Sequence, residues 1–263
     1  MRVATLNLWG RSGDWAARRA VLQAGFQALA PDLVAFQESV VSDGDDQVVE
    51  VLGDGFHVVH QAERAPDGMG VSIASRWPIH AVHELDLHVT PRTGDFPCTT
   101  LVAEIDSPAP TGRVLLVNHF PSWQLQFEVE RERQAVLAAR FIEEHRGEHQ
   151  HVVVLGDFDA DPAATSVRFW TGRHSLEGVS VCYRDAWERA HLSDPGHTLS
   201  PPENPLVADH DWPFGRIDYV LVRCGEHGGP TLRIAACERI FDAPVDGVWA
   251  SDHFGVLVDL APQ

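Results

Sequence analysis

Apolar residues fall in short runs along this chain, and the runs are spaced more like strands than helices. The strongest is Val152-Val153-Val154-Leu155, an unbroken stretch rich in β-branched residues that predicts a strand buried on both faces. It stops at Gly156-Asp157-Phe158-Asp159, where Asp157 and Asp159 point the same way if the backbone stays extended. Further strands are predicted over 2–8, 33–36, 56–60, 70–74, 79–88, 217–222, 232–240 and 256–260. A hairpin is predicted from 99–105 and 114–117, closed by the Pro- and Gly-containing turn 107–112.

Helical spacing is clearest over 15–29, where Val21, Leu22, Gly25, Phe26 and Leu29 fall on one side. Asp14 is placed to cap it and Pro31-Asp32 to end it. A charged helix over 126–145 has a narrow apolar face of Leu137, Ala138, Phe141 and Ile142. Shorter helical turns are expected at 46–52, 163–170 and 183–190. Strands mixed with a few helices, without regular alternation, predict an α+β arrangement.

Composition narrows the function. A net charge of -18, with 38 acidic residues against 20 arginines and no lysine, is a poor match for a protein that holds long duplex nucleic acid by neutralising phosphates. Cys98, Cys182, Cys224 and Cys237 contain no C-x-x-C pair, so neither a zinc site nor a disulfide framework is indicated and buried thiols are expected. No apolar run approaches the ~20 residues that span a bilayer, and the N-terminus lacks a signal-peptide pattern, which predicts a cytoplasmic location. No H-E-x-x-H stretch points to a zinc hydrolase.

Polar groups instead gather beside predicted strand ends: Asn7, Gln37-Glu38, Asn118-His119, Asp157-x-Asp159, Asp218 and Asp252-His253. A lone histidine or aspartate in such a place is more often structural, and the stretch 157–159 alone reads equally well as a polar turn or a cation site. Converging carboxylates need a cation or a proton to offset their burial.

In this order the segments Thr5-Leu6-Asn7, Gln37-Glu38, Asn118-His119, Gly156-Asp157-Phe158-Asp159, Arg216-Ile217-Asp218-Tyr219 and Ser251-Asp252-His253 resemble the endonuclease/exonuclease/phosphatase superfamily. The resemblance spans nearly the whole chain and implies a single domain over 1–263. It implies a four-layer α/β/β/α sandwich of two stacked mixed sheets, like deoxyribonuclease I. It also implies Mg²⁺ or Mn²⁺, held chiefly by Glu38 with Asp252 and Asn7. His253, oriented by Asp218, would handle the proton of the attacking water or bind a phosphoryl oxygen. His119 would donate to a phosphoryl or leaving oxygen, Asp157 would activate or position the water, and Asn118 and Arg216 would contact substrate.

Asp159 departs from the family's usual Asn. It would ligate a second cation, stay protonated beside Asp157, or orient the water as a carboxylate. The expected function is a metal-dependent phosphodiesterase or phosphatase acting on a small or lipid-derived ester. The alternatives are a nuclease acting on DNA or RNA and a catalytically inert binding module on the same scaffold. Trp123, Trp212 and Trp249 are placed to line a pocket or to pack at its rim, and the loops 63–68, 90–96 and 195–214 would set specificity.

Overall fold

A computed structural model describes residues 1–147, 151–208 and 215–263. In chain order its elements are β1 (Arg2–Asn7), α1 (Trp15–Leu29), β2 (Leu33–Ser42), β3 (Asp45–Asp46), α2 (Gln47–Leu52), β4 (His57–His60), β5 (Met69–Ser75) and β6 (Ile79–Asp86). Then follow β7 (Thr99–Asp106), β8 (Arg113–Phe120), α3 (Glu128–Arg146), β9 (His151–Asp157), α4 (Thr165–Trp170), β10 (Tyr183–Asp185), α5 (Ala186–Ala190), β11 (Asp218–Arg223), β12 (Leu232–Ile240) and β13 (Gly255–Pro262).

The strands form two sheets. One has the order β12-β13-β1-β2-β5-β4, with β3 attached to β2, and the other has the order β10-β11-β9-β8-β7-β6. Both are mixed. The pairs β1–β2 and β8–β9 are parallel, and α1 and α3 make their crossovers.

Strand side chains alternate between faces, and here both faces are covered. Val3, Leu33, Ala35 and Ile73 meet Leu116, Val153, Leu155 and Val220 between the sheets. Their neighbours Ala4, Leu6, Val34 and Phe36 pack outward against Leu22 and Phe26 of α1 and Val48 and Val51 of α2. On the other side Val117, Val152, Val154 and Leu221 pack under Val136, Ala139 and Ile142 of α3 and Phe169 and Trp170 of α4. This two-sided burial explains the continuous apolar runs and gives the expected α/β/β/α layering. Each buried Val or Leu contributes roughly 1.5–3 kcal/mol relative to exposure.

Asp14 caps α1 by accepting from Ala17 N–H, and the helix ends at Ala30 in the left-handed region, just before Pro31. The hairpin β7–β8 forms as predicted. The charged helix α3 differs from its expected solvated face, because Glu130 and Arg131 are buried while Leu137 is exposed. Cys182 is exposed too, contrary to the expectation for the thiols. No helix among the described residues is long and apolar enough to cross a membrane.

Candidate active site

β1 of one sheet ends at Asn7 and β9 of the other at Asp157, and β11 begins with Asp218 opposite Asp157. The segment 251–253 leads into β13 beside β1. One edge of the sandwich therefore collects Asn7, Asp157, Asp218, Asp252 and His253. Gly156 permits the close packing of β9 there. Its φ is +142°, and a Cβ would stand 2.3 Å from the His119 carbonyl oxygen.

Glu38 reaches the same edge by a route the pattern of apolar residues did not show. The strand does not end at Phe36. It continues to Ser42 through a bulge, where the pairing passes from Phe36↔Ser72 to Ser39↔Gly70. Glu38 occupies the bulge with φ +52°. Trp9 and Asp159 also have positive φ, +55° and +51°, so three residues lining one pocket share a conformation that L-residues seldom adopt. Asp159 consequently leaves the extended line of β9, and its backbone N–H donates to Asp157 Oδ1 at 3.0 Å.

The pocket holds about 300 Å³. Glu38, Asp157, Asp159, Asp252 and His253 line its polar part, and Trp9, Phe96, Trp123, Leu199, Val207 and Ile217 its apolar part. No arginine lines it among the described residues. A groove of about 790 Å³ lies elsewhere, between α1 and the segment after β12, but the converging acids and His253 do not line it.

His253 is buried between two carboxylates. Its Nδ1 lies 3.0 Å from Asp218 Oδ2 and its Nε2 lies 3.9 Å from Asp157 Oδ2. Burial opposes charge on this ring, but Asp218, Asp157 and Asp252 outweigh it and hold the imidazole well above its ordinary range. Asn7 links Asp157 to a further acid, donating from Nδ2 to Glu38 Oε1 at 3.1 Å and to Asp157 Oδ2 at 3.0 Å. Its Oδ1 accepts from Trp9 N–H at 2.9 Å, which fixes the orientation of the amide.

Burial followed by the Asp218 charge pushes the Asp157 carboxyl up to about 7. Burial followed by Asp157 holds Asp159 well above the ordinary carboxylate range. Glu38 is raised by burial and by Asp252, and Asp252 by burial. Among the described residues, the buried oxygens Asp159 Oδ2 and Asp218 Oδ1 have no hydrogen-bond partner. Asp157, Asp218 and His253 each offer a ligand atom within 4.8 Å of the others. The carboxylates of the pocket lining, Glu38 and Asp252 among them, are hard oxygen donors and fit a divalent cation.

The other predicted residues lie in different surroundings. Asn118 is buried and joins the two sheets: it donates to the carbonyls of Phe36 and Ser72 at 2.9 and 3.0 Å and accepts from Gln37 Nε2 at 2.7 Å. Those contacts serve backbone beside the Glu38 bulge, which makes Asn118 a brace for the site. His119 meets Thr100 Oγ1 through Nδ1 at 2.8 Å and packs edge-on against Phe158 and Trp170. Burial pushes its imidazole down to about 3, so it is neutral, and it does not line the pocket. Arg216 is buried in a 2.5 Å ion pair with Asp185 and lies over the Tyr219 ring, away from the pocket lining. Trp123 lines the pocket, Trp249 stacks on Phe254 instead, and Trp212 lies outside the described residues.

The loop after α5 braces the site from outside. Thr198 Oγ1 accepts from the N–H groups of Ile217 and Asp218 at 3.1 Å, and Asn204 Nδ2 donates to the carbonyls of Ser251 and Asp252. Arg131 similarly binds the carbonyls of Ser122 and Gln124 on either side of Trp123. Arg18, absent from the predicted set, donates to the carbonyls of Leu8, Gly10, Ser12 and Ala250. It lies under Trp9 and feels the charges of Asp252 and Glu38. Its signal was an arginine on the same helical side as Trp15 and Leu22.

With this geometry in hand, the sequence model of the endonuclease/exonuclease/phosphatase family matches residues 4–253, and the chain belongs to that family. A humanized D. rerio TDP2 carrying 14 mutations is similar in structure, with 17% identity, a TM-score of 0.76, and coverage of 99% of this chain and 98% of that one. D. rerio TDP2 complexed with single strand DNA product gives 17% identity and a TM-score of 0.74, covering 98% and 97% of the two chains. The endonuclease/exonuclease/phosphatase from Bacteroides vulgatus gives 19% identity and a TM-score of 0.73 over 100% and 98%. At these identities the likeness establishes the fold. No curated protein sequence matches the chain.

Proposed function

We propose that the protein is a divalent-metal-dependent phosphodiesterase that hydrolyses a small or lipid-derived ester. The observation that carries this reading is His253, held between Asp218 and Asp157 at the acidic end of a pocket whose other wall is aromatic and aliphatic. Glu38 and Asp252, beside the Asn7 amide that positions Glu38, would hold Mg²⁺ or Mn²⁺. Such an ion supplies positive charge for oxygens that become more negative during phosphoester cleavage.

The chain's own groups take complementary parts. Asp218 fixes the His253 ring through Nδ1, which turns Nε2 toward the pocket. Held above its ordinary range, the imidazolium donates to a phosphoryl oxygen. Asp157, beside Nε2, positions the water and accepts its proton. Asn7 keeps Glu38 and Asp157 at fixed spacing. Trp9, Phe96, Trp123, Leu199 and Val207 receive the ester's apolar group.

A diester is favoured over a monoester by charge. A phosphomonoester has a second pKa near about 6 and carries almost two charges at neutral pH. It would face several carboxylates with no arginine in the lining among the described residues. The acidic balance and the absence of lysine favour a small ester over duplex nucleic acid. Competing a short-chain lysophospholipid diester against plasmid DNA tests this substrate class. Lipid turnover with intact plasmid is expected, and nicking that His253→Ala abolishes would favour the nuclease reading.

A further inference from the structure

β10 and β11 run antiparallel with Tyr183 opposite Arg223 and Arg184 opposite Val222. One step outward, Cys182 therefore faces Cys224, and the Cys224 N–H donates to the Cys182 carbonyl at 2.9 Å. Their sulfurs are 3.1 Å apart, closer than unbonded van der Waals contact. Facing residues of an antiparallel pair have Cα atoms about 4.5–5.5 Å apart, within the range that a disulfide spans. Cys182 is exposed and Cys224 buried. Cys98 and Cys237 are buried elsewhere, in the cluster around Gln134 and in the core between the sheets.

We propose that Cys182 and Cys224 form a reversible dithiol–disulfide site, oxidised by a low-molecular-weight disulfide such as glutathione disulfide. Cys182 gives its proton to solvent, and its thiolate attacks one sulfur of the oxidant. The oxidant's S–S bond breaks, and one glutathione thiolate leaves and is protonated. Cys224 then loses its proton and attacks Cys182 Sγ, expelling the second glutathione. Two electrons pass from the two protein thiols to the oxidant, leaving one protein disulfide and two reduced glutathione molecules.

The order follows from access. Cys182 meets solvent, whereas burial followed by the hydrogen bond to Cys182 pushes the Cys224 thiol up to about 12. Arg184 and Arg223 act in the opposite sense and favour the Cys224 thiolate as it forms. The new bond would join residues 42 apart in sequence. The segment between them carries Leu199, Val207 and Ile217 of the pocket wall and Asp218. Oxidation would thus restrain the unfolded chain where the pocket is built, without touching a residue of the pocket.

The test treats the full folded chain with glutathione disulfide, blocks remaining thiols with iodoacetamide and maps the peptides. A Cys182–Cys224 cross-linked peptide is expected, with a Tm rise of roughly 5–15 °C that dithiothreitol reverses. Cys224→Ser should stop at a stable glutathione mixed disulfide on Cys182, while Cys98→Ser should cross-link like the parent. A parent chain that stays fully reduced, or that keeps glutathione on Cys182 as Cys224→Ser does, would overturn the proposal.

Discussion

His253 Nδ1 stands 3.0 Å from Asp218 Oδ2, and the Asp218 backbone N–H donates to Thr198 Oγ1 at 3.1 Å. The pairing leaves the opposite ring nitrogen facing Asp157 and the pocket. His253→Ala is expected to lower turnover by roughly 10²–10⁴-fold. Asp218→Asn should lower kcat more than it raises KM, because the ring loses its orientation. It should also move the alkaline limb of the pH–rate profile to lower pH, since an anion that holds the imidazolium charged is gone. An unchanged profile would remove Asp218 from this role.

Asp157 links the site to stability. Its folded-state pKa of about 7 exceeds the value near about 4 of an unfolded aspartate. The folded chain therefore binds the proton more tightly. The stability from this group is fully present below about pH 4 and is lost as pH rises through about 7. Asp157→Asn removes the titration. In EDTA, urea unfolding should show the variant gaining on the parent between pH 5 and 8, by on the order of a few kcal/mol. A difference independent of pH would contradict the shift.

Asp159→Asn separates the three possible roles of this carboxylate. Asparagine tolerates the left-handed backbone found here, so the fold should survive. Removing a charge beside Asp157 should raise the stability of the metal-free protein above pH 7 and change the concentration of Mg²⁺ or Mn²⁺ needed for half-maximal turnover. Identical metal titrations in parent and variant would eliminate a cation-binding role for Asp159.

Arg18 supports the site from beneath. Burial lowers its guanidinium to about 10, against the opposing charges of Asp252 and Glu38. Arg18→Met would leave the carbonyls of Leu8, Gly10, Ser12 and Ala250 without their donor. A loss of about 3 kcal/mol or more is expected in urea unfolding. Arg18→Lys should recover little, because an ammonium cannot match the guanidinium's fork of donors. Full rescue by lysine would show that charge alone matters.

Much of this arrangement was legible in the sequence. The run at Val152–Leu155 marked a strand covered on both faces, and the acids that follow it do converge with Asp218, Asp252 and His253. Long-range pairing was not legible. Nothing near Arg216 identifies Asp185, 31 residues away, as its partner, so the motif alone suggested a substrate contact. Asn118 looked similar, yet its amide bridges the sheets at the Glu38 bulge, and a bulge leaves no mark in a period of two. The cysteines lacked sequence spacing because strand register, not proximity along the chain, brings Cys182 to Cys224.

The most direct test of a metal-dependent diesterase compares bis-p-nitrophenyl phosphate with p-nitrophenyl phosphate, in EDTA and after adding back Mg²⁺ or Mn²⁺. The diester should be the better substrate by kcat/KM, EDTA should abolish its turnover, metal should restore it, and His253→Ala should lower it by roughly 10²–10⁴-fold at every metal concentration. Turnover of neither ester, with no calorimetric binding of either metal, would contradict the account and leave an inert binding module on this scaffold.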